Sequence, residues 1–175
     1  MTDLIKLSLC AAALSAFAVP ALAQGSATQS TTGSARVIQP ITLTKNADLA
    51  FGSVVKPSTG SNTIGIDAAS GARAVTGGGN AALAPSSSGR AAYAVSGEGG
   101  QTFSISTPAA FDMTRQGGTE TISVTVTPSA ASGTISGALG NTGTAAFGVG
   151  GSFDVAPSPV RGAYTGTFDA TVAYN

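Results

Sequence analysis

Apolar side chains recur at every second position through most of this chain, the period of strands with one buried face. Ile122, Val124 and Val126 alternate with Thr121, Ser123, Thr125 and Thr127. Phe147, Val149, Phe153 and Val155 share one parity, as do Tyr93 with Val95, Phe103 with Ile105, and Leu49, Phe51 and Val55. Val37, Ile41 and Leu43 follow the same rule across Pro40. A proline gives a strand ladder no N–H, so this segment is expected to be an edge strand or to carry a bulge. Turn-forming clusters separate the runs: 56–60, 77–80, 85–89, 97–100, 116–118 and 140–143. Their glycines are read as turn glycines. The rhythm predicts an all-β, immunoglobulin-like antiparallel β-sandwich of about seven to nine strands over residues 35–175. Gln24 to Ser34, polar and unpatterned, is expected to be a flexible N-terminal arm.

The first residues follow another pattern. Leu4 to Val19 are nearly all apolar or small, Pro20 breaks the run, and Ala21-Leu22-Ala23 follows. This is the layout of a signal peptide cut after Ala23, and the run is too short to span a bilayer. Cys10 lies inside that segment behind Leu9, which is the wrong neighbour for lipidation. An exported product without a membrane span is expected, in the periplasm, at the cell surface or outside the cell, and it contains no cysteine after cleavage.

Composition narrows the chemistry. Eight basic side chains balance eight acidic ones, and charged residues are only 9% of the chain. That balance does not suit nucleic acid or anionic membrane, which need a basic surface. No histidine is present, so Ser-His-Asp, Cys-His and zinc-imidazole arrangements are missing. Asp48, Asp67, Glu98, Asp112, Glu120, Asp154 and Asp169 sit beside Gly, Ser or Thr for the most part and read as surface charge rather than a glycosidase pair. Gly77-Gly78-Gly79 and Gly97-Glu98-Gly99-Gly100 lack the Lys-Ser/Thr that a phosphate loop requires, and no calcium loop occurs. A protein that is not an enzyme and uses no cofactor or metal is expected.

The end of the chain is the most regular part. From Gly162 to Asn175, Tyr164, Phe168, Ala170, Val172 and Tyr174 share one face, and Thr165, Thr167, Asp169 and Thr171 share the other. At about 3.3 Å per residue, one strand over this stretch would run ~40 Å. Since it ends with the sequence, its outer edge is expected to lie open.

This ending resembles the subunit signature of chaperone–usher pili: Tyr174 penultimate, alternating Val172, Ala170 and Phe168 before it, and Gly162 fourteenth from the end. The resemblance implies a sandwich short of one strand, supplied first by a periplasmic chaperone and, at an outer-membrane usher, by a neighbouring subunit. Gly162, Tyr164, Phe168, Ala170, Val172 and Tyr174 would then be the strand-pairing residues. Two features depart from that pattern: no disulfide can form after cleavage, and Gln24 to Ser34 offers little apolar surface beyond Ala27. Either Ser34 to Lys45 is the donor, or the chain closes its own sandwich.

The chain after the leader also resembles the exported bacterial domain of unknown function 4402, related in pattern to spore coat protein U. The residues that carry this are Ile41-Thr42-Leu43-Thr44-Lys45, Asp48-Leu49-Ala50-Phe51-Gly52, Val95-Ser96-Gly97-Glu98, Thr102-Phe103-Ser104-Ile105, Val149-Gly150-Gly151 and 162–168. An exported pilin-like or coat-like structural subunit is expected, partnered by chaperone and usher or polymerising with itself. The alternative is a self-contained secreted adhesin that binds a glycan or a surface.

Overall fold

Alternating threonine and valine make β9 (Thr121–Pro128), whose Val124 and Val126 are buried while its threonines face solvent. The computed structural model describes residues 25–175; the expected leader lies outside them. Residues 25–40 are exposed and form no regular element. The remaining strands are β1 (Thr42–Ala47), β2 (Val54–Val55), β3 (Asn62–Ile66), β4 (Arg73–Gly77), β5 (Ala82–Leu83) and β6 (Ala91–Glu98). They continue as β7 (Thr102–Ser106), β8 (Ala110–Arg115), β10 (Ser132–Thr134), β11 (Thr142–Val155), β12 (Tyr164–Thr165) and β13 (Thr171–Tyr174). Every pairing is antiparallel. The all-β sandwich read from the alternation is the fold observed, in thirteen segments among the described residues because its longer strand paths are interrupted. Among the described residues no helix is long and apolar enough to cross a membrane.

The main sheet runs β1-β6-β11-β9-β8-β12, with β3 and β4 continuing beside the second half of β11. β11 pairs β6 from Thr142 to Val149 and hands over to β3 from Gly151 to Val155. Gly148, Gly150 and Gly151 lie at the handover, where a Cβ on Gly150 would run into the Ile66 carbonyl. Such close backbone approach is a position only glycine fills. A second sheet, β10-β7-β13, faces the first, and β2 with β5 forms a small third.

Two buried clusters occupy the interior. The first contains Tyr93, Val95, Phe103, Val126, Ile135, Phe147 and Val149, with Tyr93 and Phe147 stacked at 5.1 Å. The second contains Phe51, Ile64, Ile66, Val124, Phe153 and Val155, with Phe51 edge-on to Phe153 at 5.0 Å. Their parities follow the alternation, with two exceptions. Val37 lies before β1 in no regular element and is 96% exposed. Leu49, Phe51 and Val55 do not form one strand: Gly52 takes φ +70°, the chain turns, and Val54 packs inward while Val55 is 55% exposed.

β1 is an edge strand, as Pro40 requires; it starts two residues later and carries an irregularity between Lys45 and Ala47. The cluster 97–100 is not wholly a turn. Gly97 and Glu98 belong to β6, where Gly97 stands opposite Gly143 of β11.

Candidate functional site

The terminal stretch is two short strands rather than one long one. β12 pairs β8, with Tyr164 opposite Arg115 and Thr165 opposite Thr114. β13 pairs β7, with Thr171 opposite Ser106 and Tyr174 opposite Phe103. β7 and β8 are themselves one path interrupted at 107–109, where Pro108 cannot donate. Residues 166–170 therefore stand against 107–113, two residues more, and the mismatch breaks the ribbon. Gly166 fits there because a Cβ at this position would run into the Asp112 carbonyl. Alternation alone shows nothing of this, since a slip of two residues preserves parity.

One edge of the ribbon is unpaired among the described residues. Asn175 N–H donates to the Thr102 carbonyl and Gln116 N–H to the Ala163 carbonyl. In an antiparallel ladder alternate residues exchange bonds, so the odd residues of β13 turn their backbone groups toward β7. Val172 and Tyr174 turn theirs away. Across the gap lies β1, the other edge of the sandwich. Ile41, Leu43, Phe168, Ala170, Val172 and Tyr174 all pack against the first core yet are only half-buried. The two edges, β1 and β13, lie beside one another, and among the described residues neither has a strand paired on its outer side.

The flank has a tied end and a wide end. At the tied end, the Tyr174 hydroxyl accepts from Glu98 N–H at 2.8 Å and donates to the Gln39 carbonyl at 3.0 Å. Gln39 N–H donates to Glu98 Oε2 at 3.3 Å, and Gln39 Oε1 accepts from the Thr142 hydroxyl at 2.8 Å. Glu98 Oε1 also accepts from Gly140 N–H at 2.5 Å. Glu98 is thus not surface charge: it is 6% exposed and fully engaged. Gly97 is what lets the tyrosine in, since a Cβ there would collide with the Tyr174 hydroxyl.

Midway, Phe168 leans on Phe111 at 5.1 Å beside a cavity of about 150 Å³, whose lining includes Lys45 and Asp48. Their ion pair, at 2.5 Å, holds the Lys45 ammonium above its ordinary value. Burial pushes the phenol of the adjoining Tyr93 up as well. Beyond Leu49, which lines both cavities, the gap opens to about 740 Å³ between 49–56 and 159–164. Phe51, Phe153 and Val155 lie at its base, Val54, Met113 and Ile122 on its walls, and Lys56 and Arg161 at its rim.

Of the six residues proposed from the sequence, Phe168, Ala170, Val172 and Tyr174 come together on the first core. Tyr164 stands apart in the wall of the wide cavity, its hydroxyl donating to the Val160 carbonyl at 2.8 Å. Gly162 lies against the aliphatic part of Arg115. Gln39, Glu98 and the wide cavity were not anticipated. Among the described residues, no group of three His, Cys, Asp or Glu side chains is placed to hold a metal ion.

These features define a class, an antiparallel β-sandwich whose edge strands β1 and β13 are each paired on one side only among the described residues. The chain belongs to the family described as Domain of unknown function (DUF4402), whose model matches residues 41–174. No curated protein and no solved structure matched the chain.

Proposed function

We propose that this protein is a non-enzymatic, exported structural subunit that completes its sandwich with a strand from another chain, laid between β13 and β1. The observation that carries this reading is the outward edge of β13. The backbone groups of Val172 and Tyr174 face a gap whose apolar walls are left half-covered. A strand in that gap gains main-chain hydrogen bonds along β13 and buries those walls, the physics of strand addition. A periplasmic chaperone and an outer-membrane usher, or further copies of the chain, are the partners this reading implies.

Hydrogen exchange tests it. A synthetic peptide of alternating valine and threonine, about twelve residues long, is added to the purified protein. The amides of Val172 and Tyr174 gain protection, while those of Thr171 and Ala173, already bonded to β7, change little. Equal change at all four, or none, contradicts strand addition at this edge. Deleting residues 171–175 abolishes binding of the labelled peptide, read by fluorescence anisotropy.

A further inference from the structure

We infer that the wide end of the flank selects a strand from a different protein, one carrying a large apolar residue and an acidic residue near it, and rejects this chain's own arm. The inference rests on the strand-addition reading and names its partner.

The site's chemistry points one way. Phe51, Phe153 and Val155 form an apolar floor beneath about 740 Å³, more than enough room for a bulky side chain and its neighbours. The rim is cationic, and no aspartate or glutamate lines the cavity. Lys56 gives its ammonium to the carbonyls of Pro157 and Pro159 at 2.8 and 3.2 Å, neutral groups that leave its charge uncancelled. Arg161 is exposed at the same rim. The ion pairs among the described residues are Lys45–Asp48 and Arg115–Glu120, and neither involves the rim cations. An incoming carboxylate meets two positive charges and no negative one.

The chain's own arm offers none of this. Residues 25–36 contain no Asp or Glu, no Leu, Ile, Val, Met or aromatic residue, and end in the cation Arg36. The nearest large apolar residues are Val37, 96% exposed, and Ile38. Both lie within two residues of Gln39, which its own domain holds through its N–H, its carbonyl and its side chain. At about 3.3 Å per residue, they remain within ~7 Å of that anchor. Thr42 to Lys45 are committed to β1. The segment 34–45, the apolar candidate for donation, is therefore in use at home.

Three labelled peptides test the inference by fluorescence anisotropy and hydrogen exchange on the purified protein. The first alternates valine with threonine and carries one phenylalanine near its end with a glutamate two residues away. The second replaces that glutamate with lysine, and the third copies residues 25–38. The glutamate peptide is expected to bind about tenfold more tightly than the lysine peptide, the scale of a partly exposed charge reversal. Added salt and Arg161→Gln shrink that preference; an unchanged melting temperature shows that the variant is folded. The copied arm binds weakest. Equal affinity for the acidic and basic peptides, or arm binding as tight as the acidic peptide's, overturns the inference and leaves strand addition standing. If no peptide protects the Val172 and Tyr174 amides, both fall.

Discussion

Tyr174 and Gly97 are matched residues, a hydroxyl and the missing side chain that makes room for it. Tyr174→Phe deletes the donor to the Gln39 carbonyl and the acceptor for Glu98 N–H, at a cost of about 1–2 kcal/mol by urea unfolding. Gly97→Ala costs about 1–3 kcal/mol as overpacking. In the double variant the two costs fall short of their sum, because the atom that the new methyl strikes is the one removed. Strict additivity would show that the two do not touch. Titration acts at the same scale. The folded-state values of Tyr93, raised by burial, and Lys45, raised by Asp48, exceed their unfolded ones. Their stabilisation is complete at neutral pH and is lost as pH rises through those values. Asp67, held low by Ser70, and Glu120, held low by Arg115, act oppositely: their contribution is lost as pH falls below the usual carboxylate range. Chemical unfolding at pH 7 and above pH 10 checks the alkaline limb, which Tyr93→Phe flattens.

At the scale of the element, β13 has a bonded edge and a free one. Ala173 faces β7 and Val172 faces the gap. Ala173→Pro removes a ladder hydrogen bond and is the more destabilising of the two. Val172→Pro removes only an outward N–H, keeps more of the stability, and abolishes strand binding in the hydrogen-exchange assay. The alternation in Phe168 to Tyr174 was readable from residue types because parity and burial are the same fact. The break at 166–170 was not. It comes from Pro108 and a register slip on a partner strand far away in sequence. Glu98 was missed for a similar reason: beside glycines it looks like a turn residue, and only β11 and Gln39 reveal it as an anchor.

At the scale of the molecule, the expected fold class followed from strand rhythm and turn clusters, both local properties. The wide cavity did not, since its lining comes from 49–56, β8, β9, β11 and 159–164, which only topology brings together. Under the proposed strand addition, the added strand binds the folded state alone, so it stabilises the whole molecule. At a hundred times its dissociation constant it contributes about 2.7 kcal/mol, and the melting temperature rises by several degrees. A peptide that protects Val172 but leaves the melting temperature unmoved would mean that the flank opens locally without belonging to the cooperative unit.

The knot at Gln39 also decides how the protein bears force. Tension on the preceding residues meets the bonds to Glu98, Tyr174 and Thr142 before β1 can peel from β6. Those bonds pass the load to β6, β11 and β13 together, so a tug on the leading segment is shared by both sheets instead of falling on one exposed edge.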